Sequence, residues 1–294
     1  MPSTDANGIR LEYETFGDPA ARPLILLRGL GTQMIQWEPE LCRQIADAGH
    51  HLVIFDNRDV GLSTHFHRAT VPSMAELVKA LAAGETPDVP YTIDAMADDV
   101  VGLMDALGLA SAHIAGISMG GMIVQQTAIR HPDRVLSLTS IMSSTSEVGL
   151  PGPSPAAQAA LTEPAPKERA AYMEYSVRTG KAFTGDGFPY DTESRREMAG
   201  RVFDRAFDPD GIARQMAAIV ASGSRAEALA LLDVPSLIIH GAADPLIPLA
   251  AGQATADAIP GAEFMAIQGM GHDLPPGSWT PIVDALARHT QRAN

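Results

Sequence analysis

Short apolar runs alternate with amphipathic segments along most of the chain. The apolar runs are 24–27, 52–55, 112–117, 135–142, 236–239 and 263–267. Runs of this length predict strands that are buried on both faces, as in a parallel sheet. Residues 9–16 instead alternate apolar with charged positions, which predicts a strand with one exposed face.

Helical periodicity fills the segments between these strands. Residues 37–48, 93–107, 122–130 and 281–289 carry apolar side chains at helical spacing. Thr92 is the expected N-cap of the second of these helices, and Gly108 is its expected stop. The repeated alternation of strand and helix predicts an α/β fold with a parallel sheet that is covered by helices on both faces.

Two stretches interrupt this alternation. Residues 65–91 hold one short predicted helix, 74–82. Residues 143–232 begin with a proline-rich stretch that predicts irregular structure, and then show helical segments at 167–177, 193–203 and 212–222. We therefore expect a core formed by residues 1–142 and 233–294, and a helical cap formed by residues 143–232. A cap in this position covers a site on the core and selects its substrates.

The composition is that of a globular protein with an acidic surface. Hydrophobic residues make up 46% of the chain, and 35 acidic against 21 basic residues give a net charge of −14. This charge disfavours nucleic acid and anionic membranes as partners.

Cys42 is the only cysteine, so an internal disulfide is impossible. A polar N-terminus, and the lack of an apolar stretch near the ~20 residues of a membrane span, favour a cytoplasmic protein.

The segment from Gly116 to Gly120 carries the strongest chemical signal. It reads Gly-Ile-Ser-Met-Gly and lies between an apolar run and an amphipathic run, which predicts a strand, a sharp turn and a helix. This pattern in this context predicts a nucleophile elbow. The flanking glycines permit the tight turn, and the helix N-terminus favours negative charge near Ser118.

A serine nucleophile needs a base, and the base needs an orienting acid. Asp244 and His272 each follow the end of a predicted strand, and the order Ser, Asp, His along the chain is that of α/β-hydrolases. The sequence therefore predicts a triad of Ser118, His272 and Asp244 at one sheet edge. His240 is the competing base, although it more often supports a loop in such a position, and Glu147 is the fallback acid.

An oxyanion hole requires two backbone N–H groups beside the serine. We expect one from Met119, the residue after the nucleophile. The second is expected from Leu30, in the loop Arg28-Gly29-Leu30-Gly31-Thr32 that follows the strand at 24–27.

Taken together, these motifs resemble the α/β-hydrolase superfamily over nearly the whole chain. They are the segments 29–31, 56–63, 116–121, 241–244 and 271–272. The chain is more narrowly similar to bacterial esterases that include aclacinomycin methylesterase and relatives of the cofactor-free haloperoxidases. The resemblance implies a mostly parallel eight-stranded sheet with the cap inserted after the sixth strand, and it leaves the substrate open.

Two positions depart from the pattern of these relatives. Arg28 stands where many relatives have histidine, and it could bind a substrate carboxylate or form a structural ion pair with a neighbouring acid. Asp59 stands where relatives often have glycine, and an ion pair between Arg58 and Asp59 within the loop is the expected consequence.

The motifs favour a carboxylic ester hydrolase that forms an acyl-enzyme on small to medium apolar esters. Candidate pocket residues are Arg28, Gly29, Met34, Met142 and Met270; methionines adapt well to apolar ligands.

Lactone opening, carbon–carbon bond hydrolysis and haloperoxidase-like perhydrolysis use the same triad and remain alternatives. Acyl transfer to an alcohol and a non-catalytic binding role are less favoured. No metal or organic cofactor is expected, the partner is a small-molecule ester, and a homodimer is left open.

Overall fold

Within residues 1–293, which the computed structural model describes, eight strands form one sheet; Asn294, the last residue of the predicted core, lies outside the described residues. The strands are β1 (Ser3–Ala6), β2 (Ile9–Phe16), β3 (Arg22–Leu27), β4 (His50–Phe55), β5 (Ala112–Ile117), β6 (Val135–Ile141), β7 (Ser236–Gly241) and β8 (Glu263–Ile267). Their order is β1-β2-β4-β3-β5-β6-β7-β8. The pairs β1–β2 and β2–β4 are antiparallel and the remaining pairs are parallel, which confirms the predicted fold class.

The apolar runs are continuous because both faces of the sheet are covered. Along β3, Ile25 and Leu27 belong to one buried cluster, whereas Leu24 and Leu26 belong to another on the opposite face. All four are at most 1% exposed. Successive strand residues point to opposite faces, so a strand that is buried on both needs an apolar residue at every position.

Helices form the outer layers. They are α1 (Pro39–Asp47), α2 (Met74–Ala82), α3 (Ile93–Ala106), α4 (Met119–Arg130), α5 (Pro155–Thr162), α6 (Arg169–Lys181), α7 (Thr192–Arg205), α8 (Pro209–Ser222), α9 (Ala226–Leu229), α10 (Leu249–Ala258) and α11 (Trp279–Arg292). Helices α3 and α4 pack on the face of the first cluster, and α1 and α11 pack on the other face. No helix among the described residues is long and apolar enough to cross a membrane.

Most predicted elements are confirmed to within a few residues, and α2 has the predicted bounds. Thr92 does occupy the N-cap position of α3, but its hydroxyl makes no capping bond. The Ile93 N–H instead donates to Ser222 Oγ at 2.9 Å, so the end of α8 satisfies the start of α3. Gly108 follows the end of α3 with a φ of +70°, in the left-handed region that glycine reaches without strain.

The expectation of irregular structure in the proline-rich stretch is wrong for α5. Pro155 is the first residue of this helix, where its fixed φ suits the helix and its missing N–H is not needed. Ser154 Oγ accepts from the Ala157 N–H at 3.2 Å, and an alanine-rich sequence carries the helix onward. The hydrophobic pattern of the sequence does not predict β1, α9 or α10. Of these elements, β1 and α9 are only four residues long.

Helices α5 to α9 lie between β6 and β7, which is where the sequence places the cap. We refer to residues 142–235 as the inserted segment. Its helix α8 is joined to the loop after β3: Gln215 Oε1 accepts from the Gly31 N–H at 2.8 Å, and Gln215 Nε2 donates to the Arg58 carbonyl at 2.7 Å. The inserted segment therefore lies against the loop that carries the candidate oxyanion donor Leu30.

The expected ion pair between Arg58 and Asp59 is wrong. Arg58 pairs with Asp99 of α3 at 2.6 Å, and Asp59 pairs with Arg214 of α8 at 2.8 Å. Asp59 has a φ of +64°, so the backbone turns sharply between the two side chains. These two buried ion pairs tie the loop after β4 to α3 and to the inserted segment rather than to itself.

Candidate active site

Ser118 lies in the turn between β5 and α4, with a φ of +55° and a ψ of −121°. A side chain on Gly116 would collide with the Gly120 carbonyl, and a Cβ on Gly120 would come within 2.5 Å of the Leu27 carbonyl oxygen. The two glycines are therefore needed for the chain to turn this tightly. The predicted strand, turn and helix are all present at this point.

The loop after β3 lies directly against the serine. A Cβ built on Gly29 would be 3.0 Å from Ser118 Cβ and 3.5 Å from Ser118 Oγ. From the other side, Ser143 Oγ donates to the Ser118 carbonyl at 2.8 Å, and the Ser118 N–H donates to the Ile141 carbonyl at 3.0 Å. The elbow is thus held by the ends of β3 and β6.

Asp244 lies in the loop after β7, and its side chain is fully buried. Asp244 Oδ1 accepts from the backbone N–H groups of Leu246 and Ile247, at 2.8 and 2.9 Å. Asp244 Oδ2 is 2.7 Å from His272 Nδ1. Since a carboxylate only accepts, Nδ1 of His272 carries the proton and Nε2 of the neutral ring keeps a free lone pair.

His272 follows β8 and is held by the inserted segment. Its backbone N–H donates to the Phe183 carbonyl at 2.7 Å, and the Gly187 N–H donates to the Gly269 carbonyl at 3.0 Å. A side chain on Gly185 would collide with the Gly269 carbonyl. Residues 183–187 thus form a glycine-bearing loop that packs against the histidine loop. No motif in the sequence marks this loop, so sequence reasoning misses it.

The three predicted triad residues all follow the carboxyl ends of strands, after β5, β7 and β8. The structure joins two of them directly, Asp244 and His272. Throughout residues 1–293, no hydrogen bond links Ser118 Oγ to His272 Nε2, so this bond has to form before proton transfer. Catalytic hydrogen bonds of this kind often shorten only when substrate is bound.

The alternative base and acid occupy other positions, although His240 Nε2 lies 3.7 Å from Asp244 Oδ2. His240 is fully buried within β7, and its Nε2 is 2.8 Å from the Ile247 carbonyl in the loop that carries Asp244. Burial is the main cause that lowers its pKa, so this ring is neutral and supports the loop. Glu147 is exposed, and the carboxylate that contacts His272 is Asp244.

The two predicted oxyanion donors have free backbone N–H groups. Within the described part of the chain, neither the Leu30 N–H nor the Met119 N–H donates to a protein acceptor, whereas the Gly31 N–H is taken by Gln215. Met119 is the first residue of α4, where intrahelical partners are lacking. Both groups are therefore available to an external oxygen.

The candidate pocket residues fall into two groups. Met34, Met142 and Met270 are at most 1% exposed and belong to one apolar cluster, which also includes Met198 of the inserted segment. Arg28 is half-buried beside Gly29, and its guanidinium lies over the Trp37 ring with Cζ 4.7 Å from the centroid. The alternative of a structural ion pair for Arg28 is wrong, because no carboxylate among the described residues lies within 4.0 Å of it.

One cluster of metal-ligating groups occurs among the described residues. Ligand atoms of His65, His67 and Asp208 all lie within 4.8 Å of one another. The two imidazole rings are stacked with planes only 10° apart, so their in-plane lone pairs do not converge on one point. His65 also bridges Asp208 and the Gly61 carbonyl, at 2.6 and 2.9 Å. The cluster thus joins α8 to the loop after β4.

Residues 22–275 match the family model described as alpha/beta hydrolase fold. The chain therefore belongs to the α/β-hydrolase family, and it is an enzyme of the hydrolase class. This confirms the family that the sequence motifs indicate.

Known relatives place the chain more narrowly. A rhodomycin D methylesterase from Streptomyces sp. (strain C5) is 29% identical, over 97% of this chain and 96% of its own length. The 3-oxoadipate enol-lactonase 2 of Acinetobacter baylyi is 26% identical, over 84% of this chain and 81% of its own. The expected likeness to bacterial methylesterases is thereby confirmed.

Solved structures agree on the fold. A meta-cleavage product hydrolase from Pseudomonas fluorescens superposes with a TM-score of 0.76 at 19% identity, covering 100% of this chain and 98% of that one. At this level of identity the likeness shows the fold alone.

Proposed function

We propose that the protein hydrolyses carboxylic esters through an acyl-enzyme on Ser118. The observation that carries this proposal is the 2.7 Å bond between Asp244 and His272, at the sheet edge where Ser118 stands on a strained turn. This bond sets the tautomer that a general base needs. The names of the methylesterase and lactonase relatives support cleavage of an ester bond.

In the first step, Ser118 Oγ attacks the ester carbonyl while His272 Nε2 takes its proton. Asp244 stabilises the resulting imidazolium, and its two backbone hydrogen bonds keep it in place. His272 then gives the proton to the departing alcohol, which leaves the acyl group on Ser118. Water, activated by the same histidine, releases the acid in the second half of the reaction.

The tetrahedral intermediate carries a negative oxygen, which we place between the N–H groups of Leu30 and Met119. Both groups lack a protein acceptor, and α4 adds the positive end of its dipole. The hydrogen bond between Gly31 and Gln215 holds the first of these donors from the inserted segment. We therefore assign residues 143–232 of the inserted segment as a cap that shapes the site as well as covering it.

Lactone opening and carbon–carbon bond hydrolysis are the second candidates, because the same residues serve both reactions. The enol-lactonase relative favours the lactone over the carbon–carbon bond. Haloperoxidase-like perhydrolysis is a side activity of the same acyl-enzyme, with peroxide in place of water. The buried methionines around the site favour apolar acyl groups of small to medium size.

Initial rates on p-nitrophenyl esters from acetate to laurate, together with small lactones, test the proposal. We expect turnover by the wild type and a loss of about five to six orders of magnitude in kcat for Ser118→Ala. Ser224→Ala serves as a matched control and should keep the wild-type rates, since this exposed hydroxyl only accepts from the Ala226 N–H. Equal rates for wild type and Ser118→Ala would overturn the proposal.

A further inference from the structure

Arg28 differs from the fully buried arginines of the chain. Arg58, Arg214 and Arg225 are each at most 5% exposed, and each donates to carboxylate, amide or carbonyl oxygens. Arg28 is half-buried as a residue, but its Nε atom is buried without any hydrogen-bond partner in residues 1–293. Arg22 Nε is likewise unpaired, although Arg22 Nη2 donates to a backbone carbonyl. Buried donors are normally satisfied, because an unpaired one has lost its water without compensation. An unpaired guanidinium beside the reactive serine therefore requires an explanation.

The position of Arg28 relates it to the reaction. It directly precedes Gly29, whose backbone lies against Ser118. The Trp37 ring beneath its guanidinium also has an unused donor, since Trp37 Nε1 is buried without an acceptor. Two unused N–H donors therefore lie on stacked side chains next to the candidate oxyanion loop.

A second cation acts on Arg28 from the inserted segment. Burial is the main cause that lowers the pKa of Arg28 to about 10, and the charge of Arg195 on α7 lowers it further. Arg195 and Met198 are three residues apart on α7, so they share a face of the helix, and Met198 packs in the apolar cluster that contains Trp37. Arg195 Nε donates to the carbonyl and the hydroxyl of Ser176, at 3.3 and 3.1 Å, so this second arginine already has partners within the inserted segment.

No acidic group offsets the charge of Arg28 by direct contact. Glu38 raises its pKa through space, but among the described residues no carboxylate forms an ion pair with Arg28. The guanidinium therefore has no anionic partner within the described part of the protein.

We propose that Arg28 binds a carboxylate of the substrate. The substrates are then esters or lactones that carry a free carboxylate, such as half-esters of dicarboxylic acids. A carboxylate offers the acceptors that the guanidinium and indole N–H groups lack. This inference rests on the proposed ester hydrolysis at Ser118.

Matched ester pairs test the inference in turnover. Monomethyl succinate, glutarate and adipate are compared with their dimethyl esters, which have the same leaving group and no free carboxylate. We expect a preference for the monoesters in kcat/KM, and a 10- to 100-fold loss of that preference in Arg28→Met. Arg178→Met is the control, because it removes the same charge from an exposed pair with Glu163. A preference that Arg28→Met leaves unchanged would overturn the inference.

Binding without turnover separates this inference from the proposed reaction. We expect glutarate to bind the Ser118→Ala protein in calorimetry, dimethyl glutarate to bind more weakly, and Arg28→Met to weaken glutarate at least about tenfold. Arg28→Lys keeps the charge and should retain part of the affinity for glutarate. This variant shows whether the loss in Arg28→Met comes from the missing charge or from a folding defect. Glutarate binding that depends on Arg28, without ester turnover, supports the subsite and contradicts the proposed reaction. Ester turnover without such binding supports the proposed reaction and overturns the subsite.

Discussion

Ser118 adopts a backbone conformation that residues other than glycine rarely adopt. Its positive φ of 55° costs about 1–3 kcal/mol, and the glycines on either side make the turn possible. Such strain persists only where the surrounding structure imposes it, and here β3 and β6 do so through Gly29 and Ser143. The sequence pattern predicts this tight turn correctly, because the steric demand for glycine is local and visible in the chain.

Asp244→Asn is a clean test of the orienting acid. The amide oxygen can still accept from the Leu246 and Ile247 N–H groups, but its NH₂ then faces His272 Nδ1. The ring is forced into the opposite tautomer, so we expect kcat to fall about 10⁴-fold with little change in KM. Steady-state kinetics check this outcome, with Glu147→Gln as a control that should match the wild type. Near-wild-type activity in Asp244→Asn would show that another group orients the histidine.

Helix α8 is the element that joins the inserted segment to the site. It binds the loop after β3 through Gln215, and it binds the loop after β4 through the buried pair of Arg214 and Asp59. Hydrogen bonds from Tyr91 and Phe66 also converge on Asp59. The position of the loop after β3, whose Gly29 lies against Ser118, therefore depends on how α8 docks.

Arg214→Met should destabilise the protein by about 3–5 kcal/mol, since it leaves the Asp59 carboxylate buried without its cation. The same substitution at the exposed Arg178 should cost far less, because solvent screens its pair with Glu163. Urea unfolding of the two variants checks the difference. Equal effects would mean that the pair contributes no more than a surface contact.

The elements differ in how far the sequence predicts them. Buried strands such as β3 and β7 are predicted because two covered faces demand continuous apolar residues. The partners of Arg58 and Asp59 are not predictable, because Asp99 and Arg214 lie 41 and 155 residues away in the chain. The same holds for the loop at 183–187, whose role depends on a contact with a distant glycine.

At the scale of the whole molecule, three buried histidines link stability to pH. Burial is the main cause that lowers the pKa of His50, His240 and His289 in the folded state. Below about pH 6.5 the unfolded chain takes up protons at these positions before the folded chain does. The free energy of unfolding should therefore fall as pH drops from 7 to 5, by up to about 1.4 kcal/mol per pH unit for each histidine.

Urea unfolding between pH 5 and pH 7.5 checks this dependence. His50→Gln provides the comparison: it removes one of the three groups, so the slope of stability against pH should become smaller whatever the stability of the variant itself. A flat profile for the wild type, or an unchanged slope in His50→Gln, would contradict the account.

The candidate site as a whole is predictable in its residues but not in its charges. The three proposed triad positions follow from motifs and strand ends, and the structure brings Asp244 and His272 into contact. The unpaired state of Arg28 is a property of the folded molecule, because it depends on which acids the fold leaves out of reach. Substrate selection therefore has to be argued from the structure rather than from motifs.

The most direct test of the central claim is to trap the acyl group. The wild type is mixed with excess p-nitrophenyl ester and quenched within one turnover, and its peptides are analysed by mass spectrometry. We expect a burst of about one nitrophenol per active site, and one acyl group on the peptide that contains Ser118, with neither in Ser118→Ala. Turnover without this acylated peptide, or an acyl group on another residue, would contradict the assignment of Ser118 as the nucleophile.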